Sequence, residues 1–128
     1  MAFKTADLSD DNTGEVQILH PGMRSFGGRA RFQGPMATVR ALGDFSRVRE
    51  MVHTSGEGRV LVVDNDAALG VAVLGDLLAA AAVDNGWQGV VVNGAIRDSA
   101  DIAGMDLGVM ALATVPARGD KEGRGEGC

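Results

Sequence analysis

One cysteine, Cys128, stands at the end of the 128-residue chain, so no internal disulfide can form. That fits a reducing, cytosolic compartment. Tyrosine is missing and aromatics make up 4% of residues, so the core must come from Val, Leu, Ala, Ile and Met. Histidine is scarce too: His20 in "LHP" and His53 in "MVH" are far apart, and with one terminal cysteine they cannot assemble a zinc cluster within a chain. Both read as surface or packing residues. The two lysines, Lys4 and Lys121, lie in the N-terminal segment and the glycine-rich tail, and neither falls in a buried strand that would lower its pKa. This argues against Schiff-base chemistry. No apolar run approaches the roughly 18 residues of a membrane span, and "MAFKTADLSDD" lacks the apolar core of a signal peptide. A net charge of -5 argues against a general nucleic-acid binder.

What is present suits one domain, residues 1–128, with 45% apolar residues and 19 scattered glycines that imply many tight turns. "DLSDDNTGE" reads as an exposed N-terminal segment that can form one short helical turn. "GGRARFQGPMATVRAL" alternates around Gly34-Pro35, predicting strands over 29–33 and 36–42. A short amphipathic helix follows, capped by Asp44 or Ser46, with Val48, Met51 and Val52 on one face and Gly56 as its stop. Val60-Leu61-Val62-Val63, Val90-Val91-Val92 and "GVMALATVP" (108–116) are continuous apolar runs, as in strands covered on both faces. Separated by helical stretches, they predict an α/β fold with a parallel β-α-β core and right-handed crossovers. Trp87, after the helix stop Asn85-Gly86, reads as a core anchor. The tail 117–128 is rich in glycine and charge and should be mobile unless something pins it.

The stretch 66–85 has a helical pattern, yet Gly75 sits in its middle and Asp76 is a good cap residue, which predicts a break there. A helix restarting at Leu77 would leave the amides of 77–79 unpaired and open to a carboxylate or phosphate. An ordinary packed glycine and helix cap would explain the same residues. Further on, the run ending at Asn93-Gly94 delivers Arg97 and Asp98 beyond a strand's carboxyl end, where open α/β sheets bind ligands. Arg97 offers a planar fork for a carboxylate or enolate and Asp98 a hard oxygen ligand. A surface arginine and the cap of "SADIAG" is the plainer alternative. Neighbouring parallel strands would bring both segments to one sheet edge.

The residues "SFGGRARFQGPMATVRA", "GRVLVVD", "GDLLA", "GWQGVVVNGAIRD", "GMDLGVMALATVP" and "KEGRGE" resemble the RraA-like family across nearly the whole chain. Its members include the regulator of ribonuclease E activity and 4-hydroxy-4-methyl-2-oxoglutarate aldolases. The enzymes share an Asp, twenty residues, Arg-Asp, two residues and an acid, matched here by Asp76, Arg97, Asp98 and Asp101. The resemblance implies that Asp98 holds Mg²⁺ or Mn²⁺ directly and that Asp76 and Asp101 orient metal-bound waters. It also implies that Arg97 binds the keto acid and that the amides of Leu77 and Leu78, beside Gly75, take its carboxylate. It further implies a layered swivelling β/β/α domain assembled as a trimer or a pair of trimers. Family chains run on into further strands beyond the point matching Cys128. They also carry a glycine cluster where this chain has Asn65, Asp66 and Ala67.

Cleavage of a carbon-carbon bond beside a keto group needs an electron sink, and with a Schiff base disfavoured an oxygen-ligated Mg²⁺ or Mn²⁺ remains. The expected activity is retro-aldol cleavage of a 4-hydroxy-2-oxo dicarboxylate, with decarboxylation of oxaloacetate through the same pyruvate enolate. The alternative is a non-catalytic regulator that binds and inhibits ribonuclease E. Such a regulator can lack the acid after the arginine, and here Asp98 is present. A nucleotide-dependent methyltransferase finds no support, since "VLVVD" leads into no Gly-x-Gly turn.

Overall fold

Uninterrupted β-branched runs bury both faces of a strand, and this chain uses them at the centre of its sheet. The computed structural model describes residues 5–15, 17, 22–119 and 126–127. In chain order its elements are α1 (Thr5–Asp11), β1 (Arg24–Ser25), β2 (Met36–Arg40), α2 (Ser46–Val52), β3 (Val60–Asp64) and α3 (Asp76–Asp84). They continue with β4 (Gly89–Ile96), α4 (Ser99–Ala103), β5 (Gly108–Thr114) and β6 (Glu126–Gly127). Among the described residues one sheet forms in the order β1-β5-β4-β3-β2-β6. Strands β2 to β5 are mutually parallel and the two edge strands antiparallel.

Because each parallel strand is laid beside the one before it, right-handed crossovers place α2, α3 and α4 on one face. These helices touch in that order, α2 against α3 and α3 against α4. Their small, branched side chains meet the sheet in a core that includes Val48, Val52, Ala79, Ala82, Leu61 and Val92. Trp87 is 3% exposed, its indole N–H donates to the Thr54 carbonyl, and the Arg59 guanidinium lies 4.8 Å from its ring centroid. It is the expected core anchor.

Several boundaries differ from the sequence reading. Residues 29–33 form no strand: Gly28 and Arg29 donate their amides to Met105 and Leu107, and Phe32 plugs the gap over Gly89 and Gly108. A side chain at either glycine would collide with the Phe32 ring. The antiparallel edge lies instead at Arg24–Ser25. Helix α2 stops at Val52 rather than Gly56, whose missing Cβ lets the backbone lie against Trp87. Its formal cap is Phe45, while the buried carboxylate of Asp44 accepts the Ser46 amide at 2.8 Å. Strand β4 runs through Asn93-Gly94 to Ile96, with a register shift against β5 between Val92 and Ala95.

The largest difference lies in 66–74, which is not helical. Asp66 and Ala67 take the left-handed conformation, with φ of 54° and 57°, and the amides of Asn65 and Ala67 both donate to the Asn93 carbonyl. Ala72 then bridges Ala95 and Arg118 in parallel, so the helical pattern there serves a short ladder instead. The tail is held at two places, by Ala72 N–H to the Ala117 carbonyl with Gly119 N–H to the Ala72 carbonyl, and by β6 against β2. Residues 120–125 and 128 lie outside the described residues, as do Lys4 and His20.

Candidate active site

The irregularity in β4 positions the site. Below it, β4 pairs with β3, and Asp64 stands opposite Asn93. Above it, β4 exchanges that partner for residues 72–74: Val73 N–H donates to the Ala95 carbonyl and Arg97 N–H to the Leu74 carbonyl, at 3.1 and 2.9 Å. Gly75-Asp76 and Arg97-Asp98 are therefore adjacent through backbone pairing. The twenty-residue interval is the loop of chain that one helix and one strand need to return to the same place.

Gly75 caps α3, so the helix begins at Asp76, one residue before the predicted Leu77, and Asp76 is its first residue rather than its cap. The Asp76 amide donates to Asp98 Oδ2 at 3.1 Å. The carboxylate of Asp76 accepts the amide of Leu77 at 2.8 Å. The first helical turn has no preceding carbonyls to bond, and here two of its donors are already taken by carboxylates. The Leu78 amide has no helical acceptor behind it.

Asp98 caps α4 in the left-handed conformation, φ 58°, and gives that helix no side-chain hydrogen bond. Its carboxylate turns back to α3 instead, with Oδ2 3.8 Å from Arg97 Nε. A Cβ on Gly75 would lie 2.9 Å from that same oxygen and 3.3 Å from Arg97 Nε. Only a glycine leaves room for the acid and the arginine to sit against the helix end.

A cleft of about 360 Å³ opens at this edge. Its wall includes residues 72–78 and Arg97, and thus Gly75, Asp76, Leu77, Leu78 and Arg97 of the predicted set. Asp98 is not on the wall but lies directly behind it, with its side chain 34% exposed. Asp101 is exposed on the first turn of α4 and does not face the cleft. The rest of the lining was not legible in the sequence: Phe45, Arg49 and His53 arrive from α2 and its ends, and Arg118 from the segment after β5. His53 Nδ1 lies 2.7 Å from the Arg49 carbonyl, which holds its ring across the end of α2.

Among the described residues no three His, Cys, Asp or Glu side chains gather closely enough to cage a metal. A single half-exposed carboxylate suits Mg²⁺ or Mn²⁺, which keep most of their waters, and does not suit a zinc site built from protein ligands. Asp98 is the residue that could hold such an ion beside the cleft.

An arginine-lined cleft at the carboxyl edge of an α/β sheet, against a helix N-terminus, is an arrangement that can hold a small anion. The chain belongs to the RraA-like family, whose Aldolase/RraA model matches residues 5–127. Relatives assigned as 4-hydroxy-4-methyl-2-oxoglutarate aldolases share 54% identity in Laribacter hongkongensis and 51% in Alkalilimnicola ehrlichii, each over 98% of this chain. The match spans 79% and 78% of those relatives. Among solved structures, the RNA-processing inhibitor RraA from Thermus thermophilis gives a TM-score of 0.94 at 43% identity, over 99% of this chain and 77% of that one. A Geobacillus kaustophilus protein named S-adenosylmethionine: 2-dimethylmenaquinone methyltransferase gives 0.95 at 46% identity, over 98% and 78%.

Proposed function

We propose that the protein is a divalent-metal-dependent aldolase that cleaves 4-hydroxy-4-methyl-2-oxoglutarate into two molecules of pyruvate and also decarboxylates oxaloacetate. The observation that carries this reading is the backbone pairing of Leu74 with Arg97, which sets a guanidinium and a helix N-terminus on one cleft wall beside the Asp98 carboxylate. The names of the aldolase relatives support it.

In the retro-aldol step the C4 hydroxyl loses its proton, the C3–C4 bond breaks, and its electron pair moves toward the C2 oxygen as a pyruvate enolate. Protonation at C3 completes the second pyruvate. Arg97, which lines the cleft, would pair its fork with the carboxylate and the C2 oxygen and stabilise the charge that grows there. The Leu78 amide, and the Leu77 amide once Asp76 turns aside, would orient the same carboxylate. Asp76, an acidic residue of the cleft lining, would carry the hydroxyl proton away. Mg²⁺ or Mn²⁺ at Asp98, its waters steadied by Asp76 and Asp101, would supply the positive charge that polarises the keto group.

The test is pyruvate release from 4-hydroxy-4-methyl-2-oxoglutarate and from oxaloacetate, with and without Mg²⁺. Asp98→Ala is expected to abolish release, while Asp76→Ala and Asp101→Ala reduce it about 10 to 100-fold. Arg97→Lys should fail badly, since an ammonium lacks the two-point fork. Wild-type turnover by Asp98→Ala would place the metal elsewhere. No release from either substrate would favour the other reading, inhibition of ribonuclease E, which the likeness to the Thermus RNA-processing inhibitor supports.

A further inference from the structure

The cleft that Arg97 lines carries two more arginines, and we infer that Arg49 and Arg118 form the subsite for the far carboxylate of a dicarboxylate substrate, selecting it over the monocarboxylate. The inference rests on the reading of the cleft as a 2-oxo acid site. Both side chains lie against one ring: the guanidinium carbons of Arg49 and Arg118 are 5.5 and 5.9 Å from the Phe45 centroid. Like charges gathered on one aromatic ring repel each other, and an anion between them relieves that repulsion. Neither arginine has an acidic partner among the described residues, a condition shared with Arg24, Arg31 and Arg59, but of these five only Arg49 and Arg118 line the cleft.

Separate elements bring the pair together. Arg49 comes from α2. Arg118 is set by the ladder in which Ala72 bonds to Ala117 and Gly119. Gly119 is held tightly there, since a Cβ on it would lie 2.7 Å from the Gly43 carbonyl oxygen. In a chain of net charge -5, a cleft lined by three arginines and one acid is a local reversal of sign. Arg97 takes the keto-acid end of the substrate, and the Phe45 side of the same cleft is left to receive the other end. The apolar wall of Leu74 and Leu78 accommodates the carbon chain between them.

Calorimetric titration with Mg²⁺ present tests this, using 2-oxoglutarate and 2-oxopentanoate, which differ at the far carboxylate. Neither has a C4 hydroxyl, so neither undergoes the retro-aldol step. Binding therefore reports on the subsite, and pyruvate release from the hydroxylated substrate tests the aldolase reading separately. The wild-type chain should prefer 2-oxoglutarate by about 10-fold or more, as charge-assisted hydrogen bonds allow. Arg49→Met and Arg118→Met keep a stem to pack on Phe45. Each should weaken 2-oxoglutarate about 10-fold and leave 2-oxopentanoate within about twofold. Arg49→Lys should recover part of the preference. Equal weakening of both probes, an unchanged preference in the variants, or no preference in the wild type would overturn the assignment.

Discussion

Gly75 shows how much one missing methyl can decide. Its backbone is extended, with φ of -128°, so conformation alone does not require glycine. Space does, because a Cβ would press on the carboxylate of Asp98 and the stem of Arg97. Gly75→Ala is therefore expected to lower pyruvate release at least about 10-fold while the urea midpoint moves little, since the displaced atoms are side-chain ends. A variant with full activity would show that the Asp98 contact with the α3 amide is dispensable. Ala67 presents the opposite case, a residue with a side chain in the left-handed region at φ 57°. Ala67→Gly relieves that strain and should stabilise the fold by about 0.5–1 kcal/mol, read as a higher urea midpoint.

Among the elements, α2 carries part of the cleft and is secured at its start by a buried acid. Asp44 is 0% exposed and accepts the Ser46 amide, so Asp44→Ala strands a buried donor. A loss of about 1–3 kcal/mol is expected. Because Phe45 and Arg49 move with α2, binding of 2-oxoglutarate should weaken in the same variant. A stability loss without any change in binding would separate the helix from the site. The strands β3, β4 and β5 were legible because continuous Val-rich runs have one stable home, a sheet buried on both faces. Residues 66–74 were not. Their apolar spacing fits a helix, but the turn at Asp66-Ala67 and the pairing of 72–74 with β4 and 117–119 are interactions between distant segments.

At the scale of the whole molecule, helices α2 to α4 cover one face of the sheet, yet several large apolar side chains remain outside. Leu77 is 80% exposed, Met36 71% and Leu69 48%. Leu77 lies at the cleft itself. Exposed apolar groups next to a functional edge favour association, and light scattering at micromolar concentration is expected to report a trimer or larger. A mass of one chain, constant with dilution, would remove any role for a neighbouring subunit at the cleft. No helix among the described residues is long and apolar enough to cross a membrane.

The sequence by itself determined the α/β class, the parallel core, the burial of Trp87 and the nearness of Gly75-Asp76 to Arg97-Asp98. These follow from local signals: apolar runs, a glycine within an apolar helix pattern, and the topology that adjacent parallel strands impose. Tertiary structure alone decided which carboxylate faces which amide, that Asp98 caps α4 with its backbone while its carboxylate turns toward α3, and that Asp101 stays outside the cleft. It also decided that Arg49, His53 and Arg118 join the site, since nothing near them in the chain distinguishes them from surface residues. Their placement depends on where β4 changes partner and on which strand end the returning chain pairs with. Such choices are settled by hydrogen bonds and close packing between segments far apart in sequence, which no local pattern encodes.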